Sequence, residues 1–533
     1  MPTRVTVKKD KIRLAFGGMG FHNADATNYK MMSKRHFNEV VAKTWRELSP
    51  GFSRIWGGAP NWSREDMDTF VEYYHQMHGV TDTPLYLTGS TTRQVTQEDK
   101  IKYAVDVADR LEYLIRDKGL KNIVMYCMSN ELTLDTWGEM FYELETFKEY
   151  HTLLFREFKR RNLPVVLAAT DAAPSSHWES VNWAVGNMAG VTGVYCAHDY
   201  AFDWYVEDVD FYKWFNIMCQ RMSNAAGTKE KRFILGEFGL GCDWDRINGM
   251  LINDSRYFDT DKEAESALMV ADMALAAFNA NVYAMAYWTL NDYPNPEGMR
   301  WSRTVKWGLT RWDGDDYSAR DNYYCYGLLA KYFNKNSKPM TTRSDAYLLH
   351  SGGVANTDGS VSVALNNRGG DALDVELELD CPVDRPMRVY VYDSANVPRN
   401  DFADLQPHSD VLAPVDGRLL VKAPARSLLL LTTDYRDNKP GAVGGVKMLD
   451  AAGRVGGAGR VVVWDAANDE NHCYYRVYRD GIQVASTVAD SYEPPEKDES
   501  AKGDTGATGA VGEAGDASAY TVKSVDKWGN EGQ

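Results

Sequence analysis

Two glutamates in this chain stand in similar surroundings. Glu131 closes the stretch Cys127-Met-Ser-Asn-Glu and Glu237 lies in Leu235-Gly-Glu-Phe-Gly, each at the end of a short apolar run that reads as a strand. Paired carboxylates suit acid/base work joined to nucleophilic attack, because one can stay ionised while the other holds a proton. At a separation of ~5–5.5 Å the pair suits double displacement at an acetal carbon with retention of configuration.

Each role demands an environment. A nucleophilic Glu237 must remain ionised, which an arginine such as Arg54 and a hydroxyl such as Tyr200 favour through charge and hydrogen bonding. Glu131 must rest protonated, which burial and an opposing negative charge favour. His198, in His198-Asp199-Tyr200, and Trp288 complete the polar and aromatic groups that end strand-like runs.

These residues need a frame. Eight short apolar runs recur at residues 12–16, 53–56, 84–88, 123–128, 165–169, 191–197, 232–236 and 282–288, separated by helical patterns such as 103–115, 147–160 and 263–278. Helices of this kind, apolar at i, i+3, i+4 and i+7, cover a sheet on one face. Strand and helix repeated eightfold imply an α/β fold, a (β/α)8 TIM barrel, whose catalytic groups sit at the carboxyl ends of the strands. A doubly wound open sheet would carry a glycine-rich phosphate loop after its first strand, and none is present. Phe16-Gly-Gly-Met-Gly lacks that spacing and is expected to let the backbone approach the cleft.

The barrel spans residues 1–340. From 341 to 436 the pattern becomes period-2 alternation, as in Ser360-Val-Ser-Val-Ala-Leu-Asn, and predicts an antiparallel β-sandwich. Residues 437–533 read as a small all-β module whose strand order resembles a fibronectin type III domain. Within it, glycines recur at every third position from 503 to 515, and without prolines that run predicts a loop.

Taken together, Arg54 on strand two, Asn130-Glu131 after strand four, His198-x-Tyr200 after strand six, Glu237 after strand seven and Trp288 on strand eight resemble clan A glycoside hydrolases. That resemblance covers residues 11–340. It implies an acid/base role for Glu131, a nucleophile role for Glu237, contact of Asn130 with the substrate 2-hydroxyl and nucleophile, and orientation of Glu237 by Arg54 and Tyr200. His198 would bond substrate or the acid/base, and Trp288 would floor the −1 sugar. Strand three lacks a histidine found in some of these families. Trp137, beyond Glu131, is a candidate for a leaving-group subsite, with Trp56, Trp204 and Trp244 as further loop aromatics; Asn23, Asp25, Asn291 and Asp292 could bind hydroxyls.

Bulk properties narrow the partners. A formal charge of −16 with no basic block argues against nucleic acid and anionic membranes, and no run approaches a membrane span. A carbohydrate substrate is expected; oligomeric state is not legible. Seven scattered cysteines read as free thiols, with no metal spacing, so neither metal nor cofactor is expected. The beginning of the chain lacks a secretion signal, which reads as cytoplasmic, or as secreted or periplasmic if a signal was trimmed.

Three rival readings use the same residues. A metal-dependent barrel enzyme would draw on Glu131, Glu237, His198 and Asp199, with His22 and Asp171 as spare donors. A non-catalytic carbohydrate-binding barrel would keep the cleft without turnover, and a transglycosylase would pass the sugar to an alcohol. Long segments at 198–210 and 241–261 suggest a pocket closed on one side and exo action, on plant, algal or host glycans.

Overall fold

The computed structural model of the protein describes residues 2–9, 13–23, 26–56, 62–78, 83–89, 96–132, 143–201, 208, 210–241, 244–245, 250–251, 259, 261–292, 306–381, 383, 385–408, 411–450, 459–494 and 517–533. Eight parallel strands close into a barrel: β1 (Gly18–Asn23), β2 (Phe52–Trp56), β3 (Leu85–Thr88), β4 (Ile123–Cys127), β5 (Val166–Ala172), β6 (Val194–Ala201), β7 (Arg232–Leu240) and β8 (Ala284–Tyr287). Their side chains are buried almost throughout, as strands filled from inside and covered by helices outside must be. Phe52, Tyr86, Met125, Ala168, Cys196, Ile234 and Ala284 pack one such interior layer.

Seven of the strands fall where apolar periodicity predicts them. The first does not: residues 12–16 were expected, and β1 occupies Gly18–Asn23. The reason is steric. A Cβ on Gly20 would lie 1.6 Å from the Phe52 carbonyl oxygen, and one on Gly18, whose φ is +109°, would lie 2.7 Å from Gly51. Glycines are therefore required for β1 to approach β2, and a search for branched apolar side chains passes over them.

The helices behave as the periodicity predicts, with one exception. Gln97–Glu112 begins at Thr96, whose side chain accepts from the Asp99 backbone N–H, and buries Tyr103, Ala104, Val107, Ala108 and Leu111. Helix Glu263–Asn279 is buried continuously from Ser266 to Phe278 because it packs on the barrel and also on strands Leu349–Ala355 and Val361–Asn367. Asn366 bonds Leu268 O at 2.9 Å, and His350 Nδ1 lies 2.8 Å from the buried Asp272 of that helix.

Those two strands belong to a nine-stranded, mostly antiparallel sheet running from residue 338 to 432. It also takes in Thr3–Lys9, which pairs in parallel with Leu373–Asp380 and antiparallel with Lys338–Ser344. The sheet wraps one apolar core in which Val5 and Val7 join Val363, Leu365, Leu377, Leu419, Leu429 and Leu431. The protein is thus a TIM barrel with a β-rich C-terminal domain.

A second compact unit comprises Ser33–Glu47, Asn400–Leu405 and Tyr435–Gln533. It holds two three-stranded antiparallel sheets, Lys447–Asp450 with Arg460–Val463 and Ser491–Tyr492, and Ile482–Thr487 with His472–Arg479 and Tyr520–Asp526. Val462, Trp464, Tyr475, Val477 and Val522 pack between them. The triplet-glycine run lies outside the described residues.

Inside this unit a fully buried Asp404 meets Lys43 Nζ at 2.8 Å and Arg476 Nε at 2.8 Å. Burial pushes the Asp404 carboxyl up, but the two cations outweigh it and hold the group down at about 2. A depressed carboxyl stabilises the fold above its ordinary value of 3.8, and that stabilisation disappears as pH falls towards 2. Over that window the unit is expected to lose about 2 kcal/mol. Hydrogen exchange of strand His472–Arg479 between pH 5 and 2 would read it, with Asp404→Asn weaker throughout and flat over the acid limb. An unchanged slope in that variant would assign the acid sensitivity to other carboxyls.

Candidate active site

The carboxyl ends of the barrel strands bring six of the eight residues singled out from sequence into one cluster: Arg54, Asn130, Glu131, His198, Tyr200 and Glu237. Arg54, on β2, is fully buried and uses both arms of its guanidinium. Nη1 donates to Glu237 Oε1 and lies 3.2 Å from His22 Nδ1, while Nη2 donates to Asn130 Oδ1 at 2.8 Å and to Asp171 Oδ2 at 3.1 Å. Tyr200 donates its hydroxyl proton to Glu237 Oε2, so both carboxylate oxygens of Glu237 accept a hydrogen bond.

His198 stands between the glutamates. Its Nδ1 is 3.3 Å from Glu131 Oε1 and 3.6 Å from Glu237 Oε2, and its Nε2 is 2.9 Å from Asp171 Oδ1, an ion pair without linear hydrogen-bond geometry. The nearest side-chain atoms of Glu131, His198 and Glu237 all lie within 4.8 Å of one another.

Local irregularities of the backbone make this possible. Between β5 and β6 the register skips Asp171, which adopts φ +58° as an extra residue and turns into the barrel. Between β6 and β7 it shifts again, leaving Gly236 unpaired and setting His198 opposite Glu237. Bulges of this kind re-aim side chains at the rims of barrels. Glu131 itself has φ +52°, just past the end of β4. Gly236 is required: a Cβ there would fall 2.9 Å from His198 Nε2 and 3.0 Å from Asp171 Oδ1.

Electrostatics follow from burial and pairing. Burial disfavours the charge on Arg54, but Glu237 and Asp171 outweigh it and hold the guanidinium firmly protonated. Burial pushes the His198 imidazole down, yet the negative charges of Asp171 and Glu237, with Glu131 Oε1 accepting from the Nδ1 side of the ring, raise it to about 10. His198 is therefore an imidazolium at neutral pH. Burial, reinforced by Arg54 and His198, drives His22 well below its ordinary value, so it is neutral and Nδ1 accepts from Arg54. Asp171 is pushed up by burial, but His198 and Arg54 dominate and its carboxyl lies below the usual range.

Trp288 is buried next to this cluster, its ring 4.2 Å from that of His22. Trp137 and Trp204 lie outside the described residues, as does Asp25, and the side chains of Trp56 and Trp244 are likewise outside them. Of the residues expected to bind hydroxyls, Asn23, Asn291 and Asp292 make contacts within the chain, and the side-chain oxygens of Asn23 and Asn291 accept no hydrogen bond among the described residues. Asn23 donates to Ser53 Oγ at 2.8 Å in the barrel interior, and Asp292 forms a two-pronged ion pair with buried Arg320 at 2.8 Å on each oxygen. Asn291 donates to the Asp292 carbonyl.

The four-donor metal reading loses Asp199, which turns away and accepts from Ser175 N at 3.1 Å. In the remaining trio each Glu237 oxygen already accepts a hydrogen bond, from Arg54 or Tyr200, and His198 is cationic, which describes an ion-pair network. Sequence reasoning undervalued Asp171 and His22, noting them only as spare donors, and missed Tyr86, whose hydroxyl donates to Asp171 Oδ1 at 3.0 Å. The signal for Asp171 was its place at the carboxyl end of strand five, the same position that drew attention to residues on strands four, six and seven.

No family model and no curated protein sequence matches the chain. Solved structures do. The catalytic domain of a GH30 xylanase C from Talaromyces cellulolyticus is 13% identical over 80% of this chain and 99% of that one, with a TM-score of 0.57. A GH51 arabinofuranosidase from Xanthomonas axonopodis pv. citri is 13% identical, covers 81% and 99%, and scores 0.57. An endo-β1,6-glucanase is 13% identical, covers 80% and 94%, and scores 0.58. The class this defines is the barrel with an appended β-sheet common to these glycoside hydrolase structures. The resemblance to clan A drawn from Asn130-Glu131, Glu237 and their neighbours thus extends to the fold.

Proposed function

We propose that the chain is a retaining glycoside hydrolase that cleaves β-linked glycosides by double displacement. One observation carries this reading: carboxylate oxygens of Glu131 and Glu237 lie within 4.8 Å of each other at the carboxyl end of the barrel. So close an approach suits a retaining pair, whose carboxyl groups stand ~5–5.5 Å apart, and is short of the ~6.5–9.5 Å that an inverting pair needs to admit a water.

In the first step a Glu237 oxygen bonds to the anomeric carbon as the glycosidic bond breaks, and Glu131 gives its proton to the departing oxygen. In the second, Glu131 takes a proton from water, whose oxygen displaces Glu237 and restores the starting configuration. Arg54 and Tyr200 each donate to one Glu237 oxygen and so fix its aim. Because the Asn130 carbonyl is held by Arg54, its amide N–H groups are left to donate to a sugar hydroxyl. Trp288, anchored on His22, offers an aromatic face for the sugar in the −1 position.

The neighbours are named as acting on xylan, on a β1,6-glucan and on an arabinofuranoside, and exo action on plant, algal or host glycans is our reading for this chain. Screening nitrophenyl β-glycosides, followed by mass-spectrometric mapping of a 2-fluoro sugar ester, tests both activity and nucleophile. The proposal predicts a label on Glu237. A label elsewhere, or no turnover across the panel of sugars, would sink it.

A further inference from the structure

Beneath the two glutamates lies a carboxylate that the double displacement does not itself use. Asp171 has no solvent exposure, yet four side chains converge on it: Arg54 Nη2 at 3.1 Å, His198 Nε2 at 2.9 Å, Tyr86 OH at 3.0 Å and Cys196 Sγ at 3.0 Å. Two of the four are cations, and each reaches past Asp171 to a glutamate of the site. Arg54 holds Glu237, and His198 lies between Glu131 and Glu237.

We propose that Asp171 is a positioning residue, the fixed counter-charge that keeps Arg54 and His198 cationic and aimed at the two glutamates through both halves of the reaction. The inference rests on the glycosidase reading above. Its physical need arises from the chemistry. When Glu237 becomes an ester it loses its negative charge, and the two buried cations lose a counter-ion at that moment. A buried cation without a partner is strongly disfavoured. Asp171 touches both and takes no part in bond making, so its charge persists.

The backbone is built around this contact. Asp171 is the extra residue of the β5 bulge with φ +58°, and Gly236 leaves the space in which His198 and Asp171 meet. Among the described residues, the titratable groups facing His198 are His22 on β1, Glu131 past β4, Asp171 on β5 and Glu237 on β7, while Arg54, Tyr86, Cys196 and Tyr200 meet it through Asp171 or Glu237. Of these, Glu131 exchanges its proton and Glu237 its charge during turnover. Among the described residues, Asp171 is the one that offers His198 a constant negative partner.

Two measurements test the assignment. In the full-length chain with Glu237→Gln, which mimics the uncharged ester state, the His198 ring followed by nitrogen-15 NMR should stay protonated from pH 5 to 8, its signal identified by loss in His198→Asn. Titration near pH 6.5 in that variant would overturn the proposal. In Asp171→Asn the His198 midpoint should instead fall well below its value of about 10 in the unaltered chain, and an unchanged midpoint would overturn the proposal. kcat/KM should fall on the order of 10²-fold at pH 7. The deficit should narrow as pH is lowered and the imidazolium returns. A deficit equal at all pH values would mark Asp171 as merely structural and overturn the role. The NMR readouts need no substrate, so failure to turn over any glycoside would strike the functional reading alone.

Discussion

Glu237→Gln is expected to lower kcat for an aryl β-glycoside by at least about 10⁴-fold, since removal of a nucleophile from a preorganised site leaves only the contributions of binding and electrostatics. Folding should survive. The glutamine oxygen can take the Arg54 hydrogen bond, and its NH2 can face Tyr200, whose hydroxyl proton rotates away so that the oxygen accepts. Arg54 keeps Asp171 as its counter-charge, so no buried cation is stranded. Substrate binding should therefore persist while turnover stops. Truncation to Glu237→Ala should allow azide to enter in place of the carboxylate and give a glycosyl azide of inverted configuration. A retained azide would place the nucleophile elsewhere.

Glu131→Gln should show a dependence on the leaving group that the first variant lacks. General-acid assistance is worth about 10²–10⁴-fold, and it matters most when the departing oxygen is a poor leaving group. An alkyl glycoside or disaccharide should lose that full factor in kcat/KM. A dinitrophenyl glycoside should lose little, because its first step needs no proton, while the second step slows for want of a base. The glycosyl-enzyme then accumulates, kcat and KM fall together, and a burst of phenol precedes the steady state. Rates plotted against leaving-group acidity decide the matter: the variant's slope must be much steeper than that of the wild type. Equal losses for good and poor leaving groups would remove the acid/base role from Glu131.

These two effects differ because the glutamates are held differently. Glu237 accepts from two neutral or cationic donors that fix both oxygens, whereas Glu131 sits at a left-handed backbone position with His198 Nδ1 3.3 Å from its carboxylate.

Much of this was legible in the residues alone. Strand-like runs ending at Asn130-Glu131, at His198-Asp199-Tyr200 and at Glu237 placed the pair on one rim because a closed parallel barrel has only one end where such loops gather. Periodicity located seven of the eight barrel strands, since parallel strands and their covering helices must carry apolar side chains at regular intervals. The first strand escaped because its defining feature is the absence of side chains: Gly18 and Gly20 admit a neighbouring backbone. Thr3–Lys9 escaped because a seven-residue strand carries no record of which sheet it will pair with.

What only the tertiary structure decided is the charge state and aim of the site. The types Asp, His, Arg and Tyr were visible at their positions, but that Asp171 bulges inward under Arg54 and His198, that His22 is neutral and His198 charged, and that Asp292 belongs to Arg320 are consequences of burial and of distances between groups far apart in the chain. Residue type sets which protons and charges are available. Proximity inside a region that excludes water sets which of them are held, because Coulombic pairing and desolvation both act through space and not along the chain.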